Sequence, residues 1–281
     1  MRTIKTANFS LVDTIECGQT FSWIREGEGY INADVGQVIY VEQHGDELCY
    51  ESSERKADLR KYFRLDDPLT HIQEEIAKDA IIRESIEFAP GLRLVSDEFF
   101  PCLISFILSI QSNIPRMHGC MHSLRQNFGP SYEFRGKTHY GFPTPEQLSA
   151  ACEKNLRDLM FGWRSSFIVR ATASIVSGDV NPGELMKLNY EKAHTKLKTL
   201  HGVGNKVADC VCLFSLGFLE AFPIDVWIER VIQKHYDMFT SSGNSYTRKS
   251  RAAREYFGRY AGYAQEYLYN YARSKDIKAA R

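Results

Sequence analysis

The 281-residue sequence predicts an α+β fold in which an N-terminal antiparallel β-sheet precedes a helical bundle. Three observations predict it. Near the N-terminus, short stretches rich in β-formers alternate with Gly/Asp turns. Around Glu54 the apolar period lengthens, and beyond residue 96 apolar side chains recur almost everywhere at helical spacing. The expected division is residues 1–95 as a sheet domain with short helices and residues 96–281 as the helical region.

The strands are expected at Phe21–Arg25, Tyr30–Ala33, Val38–Glu42 and Leu48–Ser52. Their turns fall at Gly27–Gly29, Asp34–Gly36 and His44–Asp46. Lys56–Phe63 and Leu69–Lys78 read as short amphipathic helices. Leu103, Phe106, Ile107 and Ile110 share one helix face, and Ile114, Met117, Met121, Leu124 and Phe128 share that of the next. Thr144-Pro145-Glu146-Gln147 is a capping box with Pro at the first helical position, so a helix starts there. Arg164–Ser177 is a further helix, stopped by Gly178.

Composition bounds the function. The apolar run Phe99–Ile110 is too short to span a bilayer, and the first residues carry no apolar secretory core. Seven cysteines without a disulfide-framework spacing favour a reducing compartment, so a soluble intracellular protein is expected. The net charge of +0 conceals a division. Residues 1–100 carry 11 Lys/Arg against 20 Asp/Glu, and the remainder carries 24 against 15. A basic C-terminal two-thirds is compatible with a polyanionic partner. No HExxH or paired Cys/His spacing supports metal-assisted hydrolysis.

Tyr190 to Tyr236 carries the chemistry. An amphipathic stretch, Tyr190–Thr199, leads into Leu200-His201-Gly202-Val203-Gly204-Asn205, and a second helix begins at Lys206. Gly202 and Gly204 permit positive φ and close approach of another backbone. The amides opening the second helix point outward with partial positive charge and make a phosphate seat. Alone, this also fits an ordinary helical hairpin whose glycines only shape the turn. Lys206 adds chemistry, because an ammonium sits badly at a helix N-terminus and the dipole favours the neutral, nucleophilic amine. Pro223-Ile224-Asp225-Val226 then opens another helix. Asp225 fits a plain N-cap there, and equally an ionised group fixed to stabilise a developing oxocarbenium ion.

Together, LHGVGNKVADCVCLF and AFPIDVWI resemble the helix-hairpin-helix-GPD (HhH-GPD) superfamily of DNA glycosylases. GQTFSW, KYFRLD, SFILSIQSNIPR, YGFPTPEQL and AGYAQEYLY, in that order along nearly the whole chain, narrow the resemblance to the 8-oxoguanine DNA glycosylase/AP lyase family. The resemblance implies that Lys206 displaces the base and forms a Schiff base with C1′, that β-elimination nicks the strand, and that Asp225 stabilises the sugar cation. It implies that the Gly18 carbonyl tests for N7–H, a donor in 8-oxoguanine and an acceptor in guanine. Gln265 and Tyr269, four apart on the last helix, would read the guanine edge and stack on the base, with Cys210 covering the other side of the purine.

By the same resemblance Asn113 and Arg116 lie near the orphaned cytosine and Trp163 is the aromatic wedge. Gln111, Arg164, Gly202, Gly204 and Trp227 join the DNA-contacting set. The carbonyls of Lys198, Leu200 and Val203 would hold a monovalent cation, K+ or Na+, beside a phosphate. No cofactor is required. The partner is double-stranded DNA containing 8-oxoguanine, met by a monomer away from membranes. A bacterial protein would be cytoplasmic and nucleoid-associated, a eukaryotic one nuclear.

Four positions depart from the family pattern. Gln111 stands where asparagine is usual, Trp163 for tyrosine, Tyr269 for phenylalanine and Trp227 for histidine. They leave Lys206 and Asp225 untouched and bear on the preference for cytosine opposite the lesion. Two other readings are an HhH glycosylase for another oxidised base and a non-catalytic DNA-binding hairpin, which needs no paired lysine and aspartate. No cysteine follows Cys212, so the four-cysteine iron–sulfur cluster of the endonuclease-III-like members is not expected.

Overall fold

The computed structural model describes residues 1–241 and 243–279, with side chains through Lys275. Its first part holds β1 (Arg2–Lys5), α1 (Leu11–Glu16), β2 (Ile24–Glu26), β3 (Gly29–Asn32), β4 (Ile39–His44), β5 (Glu47–Ser52), α2 (Leu59–Tyr62), α3 (Leu69–Ile76) and α4 (Ala80–Phe88). The five strands form one antiparallel sheet in the order β1-β5-β4-β3-β2. The expected sheet is therefore present, with one strand more than expected. β1 escapes a periodicity argument because it is a four-residue edge strand, mostly exposed, whose partner (Arg2 opposite Tyr50) lies far along the chain. Of Phe21–Arg25 only the end pairs, because Phe21 and Trp23 turn into the core instead.

The helical part comprises α5 (Phe99–Leu108), α6 (Ile114–Phe128), α7 (Pro145–Leu148), α8 (Glu153–Asp158), α9 (Arg164–Val176), α10 (Pro182–Leu185), α11 (Tyr190–Leu197), α12 (Asn205–Phe214), α13 (Val226–His235), α14 (Tyr246–Phe257) and α15 (Ala261–Ala279). Four starts have a clear local cause. Asn113, Thr144, Asn189 and Asp225 cap α6, α7, α11 and α13 through side-chain oxygens, and Thr144 and Gln147 form the predicted reciprocal box. One exception interrupts the helices. β6 (Ser131–Phe134) and β7 (Lys137–Tyr140) form a hairpin, turned by Arg135 and Gly136, both at positive φ. That geometry suits a two-residue turn matched to strand twist.

One buried apolar cluster runs from Phe9 to Leu268, across both parts of the chain. Polar anchors cross with it. The Arg125 guanidinium on α6 pairs with Asp34 at 2.6 Å and donates to the Phe21 carbonyl, while Asp34 accepts the Phe142 N–H. The last helix returns to the N-terminal part. Tyr263 donates to Asp67 and Tyr267 to the Leu92 carbonyl. This return brings α15 against the loop after α1, where the site forms.

Candidate active site

A cavity of about 990 Å³ opens where α5, α6, α12, α13 and α15 meet the Gly18 loop. Lys206, Asp225, Gly18, Cys210, Gln265, Tyr269, Gln111, Asn113, Gly204 and Trp227 all line it. Residues separated by as many as 255 positions in sequence thus share one space.

The hairpin delivers the lysine. Helix α12 starts one residue earlier than expected, at Asn205, with Gly204 as its N-cap. Gly202 sits at φ +85 and an added Cβ would clash with the Phe167 ring, so a side chain there is excluded twice over. At Gly204 an added Cβ would meet no protein atom, so this face is left open toward solvent. Lys206 Nζ donates to Ser109 Oγ at 2.8 Å and lies 4.9 Å from the centre of the Phe106 ring. Ser109 in turn donates to the Phe106 carbonyl. The amine is thereby parked at the end of α5, facing the cavity.

Asp225 caps α13, its Oδ1 accepting the N–H groups of Trp227 at 3.0 Å and Ile228 at 2.9 Å. Burial pushes this carboxyl above its ordinary range, while the Ile228 N–H, the nearby Lys206 and the Trp227 N–H pull it back. The segment before it is tied to the lysine helix. Tyr246 donates to Asp209 on α12 at 2.6 Å and accepts the Ile224 N–H at 3.1 Å. Asp209 is fully buried and also accepts from Tyr190. A single carboxylate therefore fixes the relation between the helix that carries Lys206 and the segment that leads to Asp225.

The Gly18 loop and α15 supply another part of the lining. Gly18 has φ +106, and a Cβ there would press on Tyr269 Oη and on Ile114. Gln19 pins the turn by donating to the Thr14 and Arg93 carbonyls and accepting the Val95 N–H. The Gln265 Oε1 is buried without a partner, an acceptor left free at the cavity wall. Burial raises the Tyr269 phenol and pushes the Cys210 thiol up to about 12, so Cys210 is a neutral wall and not a nucleophile.

Not every candidate faces the cavity. Arg164 is 3% exposed, its guanidinium engaged by the carbonyls of Ile110 and Gln111. It shapes the loop in which Gln111 takes φ +49, and does not reach outward as a direct DNA contact would. Asn113 lines the cavity but spends its Oδ1 on capping α6. Arg116 is exposed and donates to the Met160 carbonyl at 3.2 Å. Trp163 stands outside the cavity, 44% exposed, edge-on to Phe167. Lys198, Leu200 and Val203 lie in the α11–α12 connection, where the Leu200 carbonyl accepts the Val203 N–H. Sequence reasoning missed Phe106, Ser109, Tyr246, Glu266 and Arg273, all of which line the cavity. For Ser109 the signal was present in SFILSIQSN, yet only the fold shows what its hydroxyl meets.

Among the described residues no cluster of three or more His, Cys, Asp or Glu could hold a metal ion, and all seven cysteines are free. No helix among them is long and apolar enough to cross a membrane.

Comparison with known proteins agrees with this arrangement. Residues 2–103 match the 8-oxoguanine DNA glycosylase N-terminal domain and residues 104–255 the HhH-GPD superfamily base excision DNA repair protein. An N-glycosylase/DNA lyase of Saccharomyces cerevisiae is 31% identical over 84% of this chain and 70% of its own length. A probable N-glycosylase/DNA lyase of Methanothermobacter thermautotrophicus is 30% identical over 71% and 69%. The crystal structure of the Clostridium acetobutylicum 8-oxoguanine glycosylase/lyase, in complex with double-stranded DNA carrying cytosine opposite 8-oxoguanine, superimposes with a TM-score of 0.89 at 31% identity. It covers 96% of this chain and 93% of that one. A hairpin lysine and a capping aspartate lining one cavity, in a chain matched along both parts of its sequence, place this protein in the HhH-GPD superfamily of base excision DNA repair proteins, in the branch that carries the 8-oxoguanine glycosylase N-terminal domain.

Proposed function

We propose that the protein is a bifunctional DNA glycosylase/AP lyase that excises 8-oxoguanine from duplex DNA. The observation that carries this reading is the convergence of Lys206 and Asp225 with Gly18, Gln265 and Tyr269 on one cavity. The flipped base would stack between Tyr269 and Cys210 while Gln265 bonds its Watson–Crick edge. The Gly18 carbonyl would accept N7–H, which guanine cannot offer.

In the reaction, the Lys206 amine attacks C1′ as the glycosidic bond breaks. Its electron pair leaves on the base nitrogen, which takes up a proton. Asp225, held in place by two backbone N–H groups, offsets the positive charge that develops on the sugar. Loss of an amine proton and ring opening give the lysine–C1′ Schiff base. Removal of a C2′ proton then expels the 3′ phosphate and nicks the strand, and water releases the lysine. Lys206 supplies the nucleophile itself, so no cofactor is needed.

The open face at Gly204 and the N-terminus of α12 would seat a DNA phosphate. Beside it the neutral, oxygen-only donor set of the Lys198, Leu200 and Val203 carbonyls suits a hard monovalent cation, which would add positive charge at the phosphate. The protein is read as a monomer acting where DNA is, in the bacterial cytoplasm or the eukaryotic nucleus.

Borohydride reduction tests the mechanism. The wild-type chain should be trapped covalently on duplex DNA containing 8-oxoguanine, and Lys206→Gln should bind that DNA without trapping. Intact 8-oxoguanine under all four opposite bases would overturn the substrate, and a trapped Lys206→Gln complex would overturn the nucleophile.

A further inference from the structure

We propose that Met160 is a second apolar wedge which enters the base stack together with Trp163 when the target nucleotide leaves it. This rests on the reading above, in which a base is flipped out of duplex DNA.

Met160 is 78% exposed, the highest value among the exposed large apolar side chains of the described residues. Its backbone is also in the left-handed region, at φ +68, where a side chain is disfavoured. An exposed methionine in a strained conformation adds nothing to the core and works against local stability, a combination associated with function. Gly162, two positions on, has φ +62. Between them Phe161 is fully buried and pins the segment from below. The chain therefore presents Met160 and Trp163 outward around a fixed plug.

The segment is also bolted to the rim of the cavity. Arg116, in the first turn of α6, donates to the Met160 carbonyl at 3.2 Å. The α6 cap Asn113 and the α6 residues Ile114, Pro115 and Met117 line the cavity. On the other flank Arg164 grips the carbonyls of Ile110 and Gln111, which line it too. Two arginine tethers thus hold an exposed apolar pair beside the mouth through which a nucleotide would pass.

The occupant of this surface is the opened duplex. Extrusion of a nucleotide leaves adjacent bases without a stacking partner, and apolar side chains, methionine among them, fill such gaps in proteins that deform DNA. A thioether on an unbranched chain is polarizable and adapts to either face of a base. Trp163 provides a flat surface and Met160 a flexible one, and their different shapes suit the two sides of a single gap.

The strain makes the test clean. Met160→Gly removes the side chain and also relieves the positive-φ backbone, so the variant should unfold at the same urea concentration as wild type or a higher one. It should nonetheless excise 8-oxoguanine from a fully paired duplex about tenfold more slowly, a loss of about 1.4 kcal/mol of transition-state stabilisation. Met160→Gln, polar and of similar length, should lose as much, while Met160→Leu should retain most of the rate. The same lesion placed in a bulge, already unstacked, should be excised by all variants within about twofold of wild type, since opening the stack costs least there. Equal rates on paired duplex for wild type, Met160→Gly and Met160→Gln would overturn the proposal, as would equal losses on paired and bulged substrates. Wild-type failure on every 8-oxoguanine substrate would instead overturn the proposed function.

Discussion

At the scale of single residues, the cavity keeps one carboxyl that the proposed chemistry does not use. Glu266 is 1% exposed, lines the cavity, and leaves Oε1 without a partner. Burial pushes its carboxyl up to about 7. The hydrogen bond with Cys17 and the charge of Arg273 oppose that rise, and Asp225 adds to it. In the unfolded chain the same group titrates near 4.5. Between those values the folded chain holds a proton that the unfolded chain has released, so stability falls as pH rises from about 4.5 to about 7 and changes no further above it. The span corresponds to on the order of 3 kcal/mol. Glu266→Gln should remove the dependence. Urea unfolding should find the variant close to wild type at low pH and more stable by that order at pH 8. A difference that does not vary with pH would show that Glu266 titrates alike in the folded and unfolded chains.

At the scale of elements, the short Pro223–Asp225 segment and helices α5, α6, α12 and α15 carry the cavity, and each is placed by a contact remote in sequence. The Arg125–Asp34 pair is a clear instance, with side-chain exposures of 3% and 1%. It joins α6 to the loop after β3 and also satisfies the Phe21 carbonyl and the Phe142 N–H. Deleting one partner leaves a buried charge without compensation, at a cost of about 3–5 kcal/mol. Arg125→Ala should therefore lower the unfolding free energy by that amount, measured in urea; a loss under 1 kcal/mol would mean that Asp34 finds another partner or water. This level explains what was legible beforehand. The hairpin, the Thr144 box, the Asp225 cap and the Gln265/Tyr269 face could be read because their signals lie within a few residues. β1 could not, since it is defined by a strand over 40 residues away, and neither could the β6–β7 hairpin, whose Arg-Gly turn lacks the usual Asn or Asp. Arg164 reads in the sequence as a DNA contact for the same reason. A surface arginine and one spent on backbone carbonyls are alike in sequence, and only packing separates them.

At the scale of the whole molecule, the charge distribution matters more than the total. A formal charge of +0 predicts weak attraction to a polyanion only if charge is spread evenly, and here it is not. Residues 101–281 carry 24 Lys/Arg against 15 Asp/Glu and supply most of the cavity, while the acidic excess lies in residues 1–100. Some acidic charge is neutralised internally, as where Asp34 meets Arg125 and Asp67 meets Arg64. The phosphate seat proposed at the hairpin would use backbone amides, which add attraction without adding formal charge. Binding to duplex DNA should therefore depend on salt as it does for a basic protein. With about four phosphates neutralised, at a slope of about −0.9 each, affinity should fall about a hundredfold between 50 and 200 mM salt. Titration of Lys206→Gln on lesion-containing duplex at several salt concentrations measures the slope without turnover. A slope near zero would mean that the acidic N-terminal part cancels the basic one at the interface itself, and would place the DNA path elsewhere than across the hairpin.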